Sequence, residues 1–138
     1  MFVQVEYMPM FVERFKKGKW LDKSNSMLAD KSKVLSVLAV LTKYMRKGGL
    51  KKIREDLRLL YDYISEVVHG KYKDYSAASL SLALAAIIYV ISPLDIMPDI
   101  LPFTGYIDDI AIVTWAMTKM NKELEKYKES KKTLTEVE

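Results

Sequence analysis

Cysteine is absent from the 138 residues, histidine occurs once, and glycine and proline are scarce at five and four. Without cysteine there are no disulfides, thiolate metal sites or thiol nucleophiles, a usage that fits a reducing compartment. The lone His69 excludes imidazole metal cages and leaves any histidine-dependent triad resting on one residue. It stands just before Gly70, where the simpler role is a helix-end cation near the negative pole of the dipole. The first residues lack the basic, apolar, small-residue order of a secretory signal and carry Glu6, so export by that route is not expected.

What is present is unevenly spread. The net charge is +4, but residues 1–58 hold 14 Lys and Arg against 6 Asp and Glu, while residues 59–138 hold 8 against 12. A basic front half and an acidic rear half favour an anionic partner for the first, either phospholipid or nucleic acid. No helix-turn-helix spacing, zinc knuckle or RNA-binding signature accompanies the charge, which argues against nucleic acid. Arg46, Lys47, Lys51, Lys52 and Arg54 cluster around Gly48-Gly49 and form the candidate membrane or anion surface. Arg14, Lys16, Lys17 and Lys19 flank the aromatic residues Phe11, Phe15 and Trp20, a pairing that also suits an anionic lipid surface. Solvation of a bundle end explains either set equally well.

Helical periodicity dominates. Pro9 is placed to start a short helix with Phe11, Val12 and Phe15 on its face, ending at Gly18, and residues 20–26 read as a connector. Over residues 27–47, Val34, Leu38, Leu41 and Met45 recur at four, three and four, and the glycine pair supplies the stop. Leu50, Ile53, Leu57, Leu60, Ile64 and Val67 alternate three and four before Gly70, so these two helices should pack antiparallel. Residues 75–94 carry no formal charge and 77–91 have no polar face, which fits either the central rod of a bundle or a membrane segment. Ile110, Val113, Met117, Met120, Leu124 and Tyr127 mark a last helix, and the residues after Glu129 lack a face to bury and are expected to fray. Ile110 to Thr118 is too short before Lys119 to be the second span of a membrane hairpin.

The specialised feature lies between these rods. Residues 92–109, SPLDIMPDILPFTGYIDD, set three prolines and four aspartates in the most apolar half of the chain. An isolated buried carboxylate costs several kcal/mol, so these must be capped, paired, metal-bound or solvated. Ser92, Pro93 and Asp95 match the N-cap, first and third positions of a new helix start, and Thr104-Gly105 opens the last helix with Asp108 and Asp109 in its first turn. Pro98 and Pro102 bias Met97 and Leu101 toward extended geometry. If the connection folds back, Asp95, Asp99, Asp108 and Asp109 instead offer hard oxygen ligands to magnesium, calcium or manganese. Paired carboxylates also permit acid–base chemistry, but no nucleophile or phosphate loop joins them.

Tyr89, Ser92, Pro93, Asp95, Pro98, Asp99, Pro102, Gly105, Tyr106, Asp108 and Asp109 together resemble the signature of the YkvA-like family, an aliphatic helix followed by SPxDxxPD, a short spacer and GYxDD. The resemblance covers about residues 75–117. It implies a small, mostly bacterial, membrane-associated domain without an assigned reaction.

These readings give an all-α, single-domain bundle of four main helices, with a short N-terminal helix and a proline-rich acidic corner. The chain divides into a basic extension over 1–49 with one amphipathic helix, a YkvA-like core over 50–129 and a tail over 130–138. The expected function is a non-enzymatic interaction or scaffolding protein at the cytoplasmic membrane surface, without a cofactor. The alternative is a divalent-cation-binding domain, with hydrolysis as its extension, built on the four aspartates.

Overall fold

The computed structural model describes the backbone of residues 13, 15–46, 53–96 and 104–137, and side chains within these at 13, 15–46, 53–91 and 110–132. Among the described residues the protein is all-α, with no strand. A helical turn at 15–17 precedes six helices: α1 Trp20–Leu28, α2 Lys31–Met45, α3 Arg54–Val68, α4 Ala77–Ile96, α5 Thr104–Lys119 and α6 Asn121–Val137. Among the described residues the expected four main helices become six, because one connector is helical and the last rod is divided.

Residues 20–26, expected as a connector, belong to α1. Ser24 and Asn25 look like linker residues in sequence, but they are what lets α1 lie close against α4. Ser24 is fully buried and donates its hydroxyl to the Ser81 carbonyl at 2.8 Å, while Ser81 Oγ donates to Asn25 Oδ1 at 2.6 Å. Buried hydroxyls require such partners, and short side chains leave room for the two backbones to approach.

Asp30 then ends one helix and opens the next. Its carboxylate accepts from the Ser32 amide at 3.0 Å and the Ser32 hydroxyl at 2.7 Å, a side-chain N-cap that places the start of α2 at Lys31 rather than near Met27. Val34, Leu38 and Leu41 are buried as the spacing requires, and Met45 packs partly buried against the same core. In α3 the buried stripe is Leu57, Leu60 and Ile64, preceded by the buried N-cap residue Ile53 and followed by the partly buried Val67. Truncating such a leucine to alanine costs about 2–5 kcal/mol. Gly70 closes α3 at φ +76, with its amide on the Val67 carbonyl at 3.1 Å and the Lys71 amide on the Glu66 carbonyl at 2.8 Å. This is a Schellman cap, which favours glycine at the left-handed position. His69 sits at the helix end as expected, its Nδ1 2.7 Å from the Ser65 carbonyl.

The Ser76 hydroxyl caps α4 by accepting from the Ser79 amide at 3.3 Å. From Ala83 to Ile91 every side chain is buried, so this is the expected central rod. Its neighbours are α1, α2, α3 and α5. Small residues set the α4–α5 contact, where Ala85 and Ala86 meet Ala111, Ile112 and Ala116.

The corner departs from expectation at both ends. Helix α4 does not stop at Ile91: it continues to Ile96, so Ser92, Pro93 and Asp95 lie inside its last turns and are not the cap and first turn of a new helix. An interior proline costs about 3 kcal/mol, but here it falls near the C-terminus of a rod whose buried length outweighs one lost hydrogen bond. Helix α5 does begin at Thr104, which puts Asp108 and Asp109 in its second turn instead of its first. Met97 and Leu101, expected as extended, lie outside the described residues. The single last helix is interrupted at the buried Met120, although the amides of Met120 and Leu124 still reach the Ala116 and Met120 carbonyls at 2.9 and 2.8 Å. Helix α6 then runs through to Val137, past Glu129, where the sequence placed the start of the tail.

Candidate functional site

The ordered packing around α4 fixes where charge is displayed. Helix α2 runs parallel to α4: Val34 and Leu80 share one cavity, and Val37 and Val40 share another with Ile88 and Ile91. Helix α3 returns antiparallel, so the C-terminus of α2, the N-terminus of α3 and the C-terminus of α4 lie at the same end of the bundle.

That end carries the basic cluster. Arg46 forms the C-cap of α2 and Arg54 is the first residue of α3, and both line one cleft of about 640 Å³ with Thr42, Met45, Glu55 and Arg58. Lys47, Lys51 and Lys52 lie outside the described residues. Arg58 was absent from the sequence-derived set. The signal for it was its position four residues after Arg54, which returns a helical side chain to the same face. Arg58 pairs with the half-buried Asp62 at 3.7 Å, a long contact that neutralises the mostly exposed guanidinium only weakly. Ile53 supplies no side-chain cap to α3. The cleft thus gathers three arginines against Glu55, with Asp62 beside Arg58.

The described helix ends that flank the aspartate corner fall at the same end. Asp95 is in the last turn of α4 and Asp108 and Asp109 are in the second turn of α5, but their side chains, like the whole of Asp99, lie outside the described residues. Among the described residues, no group of three or more Asp, Glu or His side chains is arranged to hold a metal ion.

The second basic set resolves differently. Arg14 and Phe11 are outside the described side chains. Phe15 and Trp20 turn inward onto Tyr89, with ring centroids 5.6 and 5.0 Å away. Lys16, Lys17 and Lys19 remain exposed, and the aromatic face that Lys16 meets is Trp115, a hundred residues along the chain, at 5.7 Å from ring centroid to ammonium. Trp115 forms one wall of a groove of about 510 Å³ between α1 and α5, over the N-terminal half of α4.

A buried polar network holds the far side together. Glu123 accepts from the Tyr63 hydroxyl and the Ser76 amide, each at 2.7 Å, and pairs with Lys126 at 3.4 Å. Burial alone would raise the Glu123 pKa, but the Tyr63 hydroxyl, the Ser76 amide and Lys126 together hold it below its ordinary value. The Tyr127 hydroxyl donates to Glu66 at 2.7 Å, and burial followed by these carboxylates pushes Tyr63 and Tyr127 well above the usual phenol range. Neither tyrosine supplies a base near neutral pH. The network joins α3, α6 and the start of α4, and its role is structural.

Residues 79–115, which span most of α4, the corner and the greater part of α5, match the family described as "Protein of unknown function (DUF1232)". A Bacillus subtilis (strain 168) protein called "Uncharacterized membrane protein YkvA" is 34% identical over 83 residues, covering 60% of this chain and 78% of that protein. The chain belongs to the YkvA-like DUF1232 family. The family match takes in both helices of the alanine-lined α4–α5 contact, and α1, α2 and α3 also pack on α4. No solved structure matches. Among the described residues no helix is long and apolar enough to cross a membrane.

Proposed function

We propose that this YkvA-like protein is a non-enzymatic interaction or scaffolding protein that docks on the cytoplasmic face of an anionic membrane through the arginine cleft between α2 and α3. The observation that carries the reading is the convergence of Arg46, Arg54 and Arg58 on one cleft at a bundle end. Guanidinium groups bind phosphate oxygens in paired hydrogen bonds and are weakly hydrated, which suits them to lipid headgroups. A basic surface near an anionic leaflet gains about 1 kcal/mol per cation, so three arginines, aided by Lys47, Lys51 and Lys52 in the intervening link, supply enough for reversible attachment. The naming of the Bacillus relative as a membrane protein supports the same placement. The deeply buried α4 argues for attachment at the surface, because its apolar residues are already spent on α1, α2, α3 and α5.

Flotation tests the reading. The protein should rise with vesicles of phosphatidylglycerol and phosphatidylcholine at low salt, stay behind with phosphatidylcholine alone, and be released as salt increases. Failure to float with either vesicle at low salt contradicts it.

A further inference from the structure

The lysine-rimmed groove between α1 and α5 is built unlike a closed bundle seam. Its floor is Ala77, Ala78 and Ser81, and its walls are Leu21, Asn25, Leu82 and Trp115. Leu21 is 39% exposed, a large apolar side chain left facing water, and Trp115 is only partly buried. Lys119 lines the groove, Lys16 lies over Trp115, and no acidic side chain is among the lining residues. Lys17 and Lys19, in the segment that leads into Leu21, are exposed. A largely apolar lining, a partly exposed tryptophan and lysines on flexible stems match the layered chemistry of a lipid interface. Acyl chains meet the apolar residues, the indole sits at headgroup depth, and ammonium groups reach phosphates.

The groove also lies opposite the arginine cleft. Helices α1, α2 and α3 follow one another around α4 and α5 completes the circle, so the α1–α5 gap is across α4 from the α2–α3 cleft. The groove is at the N-terminal end of α4 and the cleft at the other, roughly a helix length away, about 30 Å for twenty residues. One flat bilayer cannot meet both.

We infer that the α1–α5 groove is a second docking face for anionic lipid, so that one molecule can hold two anionic membrane surfaces together. The inference rests on the arginine cleft binding the first surface. Charge complementarity selects anionic lipid as the occupant. An acidic helix of a partner protein is the competing occupant.

The experiment uses the full chain with Trp20→Phe, which leaves Trp115 as the only indole, and vesicles of phosphatidylglycerol mixed with phosphatidylcholine. Trp115 emission should shift to the blue and be quenched by brominated acyl chains, and the vesicles should cluster, read as turbidity. The double variant Lys16→Glu, Lys119→Glu should still float through the arginine cleft, while quenching and clustering fall at least about tenfold. Leu21→Gln provides a second, uncharged lesion in the groove, and circular dichroism establishes that each variant is folded. Flotation of the wild type without Trp115 quenching or clustering overturns the inference and leaves the arginine-cleft reading standing. Undiminished clustering by the folded double variant also overturns it. Absence of flotation by the wild type defeats the arginine-cleft reading itself and the inference with it.

Discussion

Tyr63 donates its hydroxyl to Glu123 at 2.7 Å across sixty residues of sequence, and the same carboxylate oxygen holds the amide of Ser76. One buried acceptor therefore ties the middle of α3, the entry to α4 and the start of α6. Replacing Glu123 by Ala leaves two donors unpaired and should cost about 2–3 kcal/mol in urea unfolding near neutral pH. Because the folded carboxyl is held below its ordinary value of 4.5, its contribution is fully present above that pH and is lost as pH falls through the lower folded value. The wild type should lose stability over that acid range, and Glu123→Gln should lose less there.

This link was invisible in the sequence, because nothing in local spacing tells a solvent-facing glutamate of a lysine-rich helix from a buried one. The amphipathic faces of α2 and α3 were legible, since Val34, Leu38, Leu57, Leu60 and Ile64 repeat with the helical period and are buried. So was the central rod, which has no polar face to expose. Helix α1 was not legible: Ser24 and Asn25 are polar by composition and find their partner in Ser81, fifty-seven and fifty-six residues on. At the acidic corner, Ser92, Pro93 and Asp95 carry a valid local signal for a helix start, and the packing of α4 overrides it. Arg46 and Arg54, grouped by their closeness in sequence, line one cleft with Arg58, which that grouping lacked, and the meeting of Lys16 with Trp115 depends on tertiary packing alone.

Ser24 offers a test of that packing. Leucine there has to enter the close α1–α4 contact and leaves the Ser81 carbonyl without its donor, so Ser24→Leu should destabilise by about 1–3 kcal/mol. A fall in melting temperature with a red shift of Trp20 emission, read in a Trp115→Phe background, would register the undocking of α1, and an unchanged melt would contradict the contact.

Among the described residues the buried Tyr72 hydroxyl has no hydrogen-bond partner, while its ring packs on Tyr63 and Tyr127 at 6.0 and 5.2 Å. Tyr72→Phe keeps the ring contacts and removes the unsatisfied oxygen. It should raise stability by about 1 kcal/mol, and denaturant titration showing a loss instead would reveal a partner for that hydroxyl.

Gly70 holds φ +76 with nothing near the position of a side chain. Gly70→Ala meets no clash, so its cost is backbone strain alone, about 1 kcal/mol, seen as a lower urea midpoint with an unchanged slope. A neutral result would indicate that the Schellman cap does not hold φ at that value.

The arginine cleft is tested most directly by comparing flotation of the wild type with that of Arg46→Glu, Arg54→Glu, Arg58→Glu on phosphatidylglycerol-containing vesicles at low salt. Wild-type protein is predicted to float and the folded triple variant to lose at least about a hundredfold in apparent affinity. Equal flotation of the two would contradict the docking of this YkvA-like protein through that cleft.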